Sequence, residues 1–390
     1  MTLALALFGC GPSVVPLYEA ARDDALATPG AVPANWRPDL VLHLAEPVVQ
    51  KLAKEGLAAN ETLHQRVEIS AMGLPVTVTP DLGARRVEVG PVRGCPACLS
   101  VDTTLVGPAK WTALGQRGAV DLRVYAKLSL EVTTVLQDGA FTVTVAPRSI
   151  DTLEVTVEGA EARVDDLLTS ALGADWHKKV LAGISPIELG TVGSQGLPLR
   201  ALRVVALDNG GLQFEMLSSS PTPGVLSVRD RALVKGFALY ADEGSVLDLA
   251  RAEAFRAAPL THDVVAEPTR LTVTGSEFDL GLRLWRPVGS GWWRDYDAHG
   301  TLSLTEHGVH LAADKVTEGS TSEGAELADP LAVLAEGAIL TGIGDALVAG
   351  CPRRSHVVAD GVRVSTDVTG VTGADGVVVV SGTVAVVGPR

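Results

Sequence analysis

The chain has 390 residues, 46% of them apolar but only 4% aromatic, and its 32 basic against 46 acidic side chains give a net charge of −14. That length supports two or three domains with sizeable cores, and the scarcity of rings makes those cores aliphatic. No basic stripe is present to bind phosphates, which excludes a nucleic-acid partner, and the acidic balance disfavours broad adhesion to anionic lipid surfaces.

The first feature in chain order is "MTLALALFGC". Its apolar run ends in Leu7, Phe8, Gly9 and Cys10, an arrangement that resembles a bacterial lipobox, where the chain is cleaved before a Cys that becomes lipid-modified. The run is short and has no leading Lys or Arg, which a start codon set too far downstream would explain; the competing reading is a plain apolar strand with a chance Cys. Residues 1–10 are read as a lipoprotein signal remnant with lipidation at Cys10, which anchors the protein to a membrane of the bacterial cell envelope, facing the periplasm or the cell surface. Residues 11–38 contain Pro12, Pro16, Pro29, Pro33 and Pro38 and only "LYEAARDDAL" as a helical stretch, so they read as a tether. No later segment spans a membrane by length and continuity.

Residues 39–217 form the first expected domain. The alternating "DLVLHLA" leads into a helix over "EPVVQKLAKEGL", with Val48, Leu52 and Val49 facing inward. "HQRVEISAMGLPVTVTPDLGARRVEVGPV" reads as shorter strands broken by Gly and Pro. In "RGCPACLS", the CxxC of Cys95 and Cys98 fits redox chemistry, half of a metal site, or a local disulfide. No second CxxC or nearby His completes a zinc site and no βαβ context supports a redox motif, so a structural disulfide in an oxidising compartment is expected; the pairing of Cys351 stays open. "AVDLRVYAKLSLEVTT" is the clearest strand, with Val120, Leu122, Val124, Ala126, Leu128, Leu130 and Val132 on one face and polar side chains on the other. A period-2 run of that length belongs to a large antiparallel sheet that curls around something. It continues through a turn at Asp138-Gly139 into "GAFTVTVAP" and "TLEVTVEG". The helix in "EARVDDLLTSALGADWHKKVLAGI" sets Val164, Leu167, Leu168 and Leu172 on one side, and the hairpin "LRALRVVAL" and "LQFEML" closes the domain.

"SSSPTPG", residues 218–224, reads as the linker, and residues 225–390 repeat the plan. A helix over "SVLDLARAEAFRA" precedes the strands of "TRLTVTGSEFDLGLRLWRP" and "YDAHGTLSLTEHGVHLAA". Between them Trp285, Trp292, Trp293 and Tyr296 crowd a Gly-Ser-Gly turn; the rings either meet a membrane interface, with Arg286 and Arg294 on phosphates, or pack within the fold. Then "DPLAVLAEGAILTGIGDALVAGCP" starts like a helix at Asp329 and Pro330 and stops at Gly350 and Pro352, yet is apolar on nearly every side. A final hairpin, "GVRVSTDVTGV" and "VVVVSGTVAVVG", ends the chain.

Two similar halves, each a long curled antiparallel β-sheet wrapped around apolar α-helices, on a secreted, aromatic-poor chain, give an α+β fold that resembles the TULIP superfamily of lipid-binding domains, the bactericidal/permeability-increasing protein-like group, over roughly Pro38 to Val387. The likeness rests on the order of elements, the long alternating strand and the wrapped helix; the acidic charge and the weaker first helix set this chain apart from eukaryotic members. It implies that acyl chains are held in an aliphatic groove between sheet and helix, with Val48, Leu52, Leu122, Val124, Leu128, Leu168, Leu172, Leu334 and Ile339 as lining candidates. The implied partners are a lipid or other long apolar ligand and, through Cys10, a membrane; no cofactor is implied. An enzyme is not expected. His307 and His310, three apart around a Gly308 turn, would point to opposite faces and share no metal. "GIGDALVAG" lacks the third Gly of a dinucleotide fingerprint, and no G-x-S-x-G elbow or P-loop occurs. The alternative is a structural or adhesive surface lipoprotein whose cores are fully packed.

Overall fold

The computed structural model describes residues 14–58, 63–64, 66–71, 74–137, 140–159, 166, 168–169, 186–193, 198–227, 235–257, 263–289, 291–305, 308–322, 356–359 and 362–388. Cys10, Leu172, Cys351, His307, the 138–139 turn and the whole 329–352 stretch with Leu334 and Ile339 lie outside the described residues. In chain order, helix α1 (Val15–Ala25) precedes strand β1 (Leu40–Leu44), which runs into helix α2 (Glu46–Ala58). Next come β2 (Val67–Ala71), β3 (Leu74–Pro80), β4 (Gly83–Val92), β5 (Cys95–Ala113), β6 (Gln116–Gln137), β7 (Ala140–Glu158) and β8 (Ile187–Val192). After β9 (Leu199–Ala206) and β10 (Leu212–Ser218), strand β11 (Phe237–Asp242) runs into helix α3 (Glu243–Arg256). The remaining strands are β12 (Val265–Thr274), β13 (Glu277–Arg286), β14 (Trp292–Thr305), β15 (Gly308–Thr321), β16 (His356–Ala359), β17 (Val362–Ala374) and β18 (Val377–Val387).

The alternating stretch becomes β6, 22 residues long, flanked by β5 and β7 of 19 residues each. Val120, Leu122, Val124, Ala126, Leu128 and Val132 are buried, whereas Asp121, Arg123, Tyr125 and Thr133 are exposed. These strands form the antiparallel sheet β2-β3-β5-β6-β7-β8, with β4 added along β5. Long twisted strands curl such a sheet, and its apolar side chains share one face. Strand β5 runs through both Gly107 and Pro108. Below them β5 pairs with β4 (Val106 opposite Gly83) and beyond them with β3 (Ala109 opposite Pro80), so Pro108 falls where the partner changes. Its missing N–H costs little there, while its carbonyl accepts from Asp81 N at 2.9 Å. Gly107 lets the Asp81–Leu82 backbone pass where any Cβ would collide.

A second sheet has the order β16-β17-β18-β11-β1-β10-β9, and a third the order β12-β13-β14-β15. The second joins strands from either side of residues 218–224, because β1 pairs antiparallel with both β10 and β11, with Leu42 opposite Phe214 and Leu239. Residues 218–224 are thus no loose linker, despite their Ser, Pro and Gly. The buried Asp39 carboxylate accepts from Ser218 N at 2.9 Å and from Ser218 Oγ, and Ser220 N donates to Ser218 Oγ at 3.1 Å. Ser220 Oγ and Thr222 Oγ1 then donate to Asp248 Oδ2 of α3 at 2.7 and 2.6 Å. Gly236, at φ +69°, sits where a side chain would be both conformationally strained and in collision with the Gly382 carbonyl.

On the same face of β1 as Asp39, His43 is fully buried opposite Gln213 and Ala238, and neither ring nitrogen has a hydrogen-bond partner. Burial holds the imidazole below its ordinary pKa. A His with a depressed folded pKa binds its proton more readily in the unfolded chain, so stability present above the unfolded pKa drains as pH falls through that range. The urea midpoint is expected to fall between about pH 7 and about pH 5, and to fall less in His43→Leu; parallel pH profiles for the two proteins would assign the loss to other groups.

Candidate functional site

The apolar face of the long sheet is the strongest candidate surface. One apolar cluster takes Val76, Val78, Leu105, Ala109, Leu122 and Val124 from strands and adds Leu63, Leu82 and Leu168. A second, along the same strands, combines Leu99, Val101, Ala126 and Leu128 with Val49 of α2 and Leu212 and Phe214 of β10. Of the lining candidates, Leu122, Val124 and Leu168 meet in the first cluster and Leu128 lies in the second. Val48 is buried but belongs to neither, and Leu52 is half-buried. The face that α2 turns to the sheet is Val49, Ala53 and Leu57, spaced i, i+4, i+8; Val48 and Leu52 sit one step around the helix from it. That spacing was available in the sequence.

The face is electrically quiet. Thr103, its buried polar member, donates its hydroxyl to the Arg86 carbonyl at 3.0 Å. Charges stand on the other face, where Arg123 pairs with Glu158 at 3.1 Å and Lys127 with Asp102 at 3.7 Å. Ser149 and Ser129 donate to Asp151 there and lower its pKa. An apolar face backed by a polar one can desolvate hydrocarbon. Leu122, Val124, Leu128 and Leu168 are each 4% exposed or less, so the chain itself already covers them.

The aromatic hairpin is packed rather than presented to a membrane. Trp285, Trp292 and Tyr296 are buried, and Trp293 is half-buried under the Arg283 guanidinium, 4.4 Å from its ring centroid. Trp285 Nε1 donates to Glu267 Oε2 at 2.8 Å, and Arg251 donates to Glu267 Oε1 at 2.8 and 3.0 Å. Trp292 and Tyr296 join the apolar cluster between the third sheet and the second. Arg294 pairs with Glu318 at 2.7 Å. The cover over Trp285 is α1, from the stretch expected to be a tether. Tyr18 meets the Trp285 ring edge-on at 6.0 Å and Phe255 of α3 at 5.7 Å, and Val14 is buried beside Gly291. The helix was legible; its docking depends on aromatic partners more than 200 residues away.

Cys95 and Cys98 are joined by a disulfide at the start of β5. Among the described residues no group of three or more His, Cys, Asp or Glu is placed to hold a metal, and no helix is long and apolar enough to cross a membrane.

No protein-family model matches the chain, and no curated protein matches it. Among solved structures, the chain is similar to lipopolysaccharide binding protein, at 13% identity over 90% of this chain and 99% of that one, with a TM-score of 0.38. It is also similar to P47 of Clostridium botulinum E1, at 10% identity over 89% of this chain and 99% of that one, with a TM-score of 0.40.

Proposed function

We propose that the protein is a lipid-binding lipoprotein, anchored through Cys10, that shields acyl chains against the concave face of its curled sheet. The observation carrying this reading is the unbroken aliphatic lining from Val76 and Val78 across Leu105 to Leu122 and Val124, with ionisable side chains confined to the opposite face. Burial of hydrocarbon gains roughly 25 cal/mol per Å², so one long tail laid along such a surface would gain several kcal/mol with no catalytic group. The lipid's head group would stay at the mouth, in water. The proposed plan of two similar halves would match the order in which β1 leads into α2 and pairs with β10, while β11 leads into α3 and pairs with β18, the last described strand.

A second reading has its own observation. Because Leu122, Val124, Leu128 and Leu168 are already covered, a structural or adhesive lipoprotein with packed cores fits them without a guest. Native mass spectrometry with organic extraction, on the body from residue 14 onward purified from a bacterial host, separates the two. A discrete added mass matching an extracted lipid is expected. A clean apo mass, with no uptake of fluorescent fatty acid or phospholipid, would overturn lipid carriage in favour of the packed lipoprotein.

A further inference from the structure

Cys98 alternates away from Leu99 and Val101, so the disulfide lies on the sheet face opposite the proposed groove, and its two cysteines are unlike. β4 turns into β5 through Arg93 and Gly94, the latter at φ +77°, and the bridge closes directly after that turn. Cys98 is fully buried and Cys95 half-buried, so Cys95 is the residue an external thiol meets first. The Cys98 Sγ accepts a hydrogen bond from Arg148 Nη1 at 3.2 Å. Arg148 reaches across from β7 because it is the extra residue of a bulge: Leu130 faces Pro147 and Ser129 faces Ser149, leaving Arg148 without a partner on β6.

We propose that Cys95–Cys98 is a thiol–disulfide exchange site that an external dithiol reduces, with Arg148 stabilising the departing sulfur. One thiolate of the dithiol attacks the Cys95 Sγ; a bond forms between those two sulfurs, the Cys95–Cys98 bond breaks, and the electron pair leaves on the Cys98 Sγ as a thiolate beside the guanidinium. The second thiolate of the dithiol then attacks its own sulfur in the mixed disulfide and closes a cyclic disulfide. Cys95 is released as a thiolate and takes a proton from water. In balance, the dithiol gives up two electrons and two protons; the protein takes both electrons and, at Cys95, one proton, while the second proton goes to water and Cys98 stays a thiolate beside Arg148.

The charge at Arg148 is what makes this direction of cleavage favourable. A cation beside a sulfur lowers its thiol pKa, and a thiol of lower pKa leaves faster. Glu131 stands directly opposite Cys98 on β6 and works against it. Opening the bridge leaves β5 in place, since Leu99 pairs with Leu130 on one side and Pro91 on the other. A bridge between residues three apart also constrains little of the unfolded chain, so its loss costs the fold little.

The test uses the full chain and dithiothreitol in native buffer, quenched with iodoacetamide and read by intact and peptide mass. The bridge is expected to open without denaturant, faster than the protein unfolds, and glutathione used in place of dithiothreitol is expected to leave its mixed disulfide at Cys95. Arg148→Leu is expected to slow opening by about fivefold, Arg148→Lys to restore most of the rate, and Glu131→Gln to speed it about twofold. Opening that tracks global unfolding, adducts on Cys98, or an unchanged rate in Arg148→Leu would overturn the proposal. Should Arg148→Leu not fold, Glu131→Gln decides alone: a rate equal to the wild type would sink it.

Discussion

Asp39→Ala is expected to lower the unfolding free energy by about 3 kcal/mol, because it strips the acceptor from a buried hydrogen-bonded knot. Asp39 is fully buried at the head of β1 and receives both the backbone N–H and the hydroxyl of Ser218. Alanine leaves those donors in a site closed to water, each costing about 1–3 kcal/mol, and loosens the clasp that runs on through Ser220 to Asp248. Burial raises the carboxyl pKa, the Ser218 donors oppose that shift, and nearby Asp242 adds to it. A raised folded pKa contributes stability that is complete below the unfolded value and lost as pH rises through the folded one, so at neutral pH the ionised form is held at a cost. Asp39→Asn keeps an acceptor without the charge and should therefore be much milder than alanine. Urea denaturation followed by tryptophan fluorescence measures both; equal losses in the two variants would mean that the clasp acts through charge rather than through hydrogen bonds.

This clasp also marks where the sequence stops being informative. "SSSPTPG" has the composition of a linker, and nothing local in it signals that Asp39, 179 residues away, needs its donors. The shared sheet is equally silent: "DLVLHLA" reads as an alternating run, but its pairing with β11, Leu40 opposite Ala241 and Leu44 opposite Phe237, is a non-local choice that it could make with other partners. Period-2 patterning, by contrast, is a local consequence of one wet and one dry face, so β6 was legible almost residue by residue. Neighbouring β5 was not, and its run through Gly107 and Pro108 depends on partners supplied by β3 and β4. The same contrast runs through the site. Leu122, Val124 and Leu128 were found from alternation, whereas Leu63 and Leu82 lie in irregular segments with no period to betray them. Trp285, Trp292, Trp293 and Tyr296 were conspicuous as a cluster, but amphipathic rings suit a membrane interface and a core alike, and only the position of Glu267, Arg283 and α1 decides between them.

Glu267→Ala is expected to cost about 3–5 kcal/mol, the range for removing one partner of a buried ion pair. Glu267 is 4% exposed on β12 and joins three elements. It accepts from Arg251 of α3 and from the Trp285 indole of β13, and Arg251 in turn reaches Asp24 of α1 at 3.3 Å. Without it, the guanidinium keeps only the exposed Asp24 as counter-ion, and the buried indole N–H has no acceptor. Because Tyr18 rests on Trp285 and Phe255, disorder there should propagate to α1. Limited proteolysis between residues 14 and 36 should therefore accelerate in Glu267→Ala well before global unfolding. Glu267→Gln, which can still accept from the indole, should retain α1 and lose only the ionic part, roughly 1–2 kcal/mol. If instead α1 is cleaved equally fast in the wild-type protein, the helix is not held by this network, and the tether expected from its prolines describes residues 14–38 better than a docked helix does.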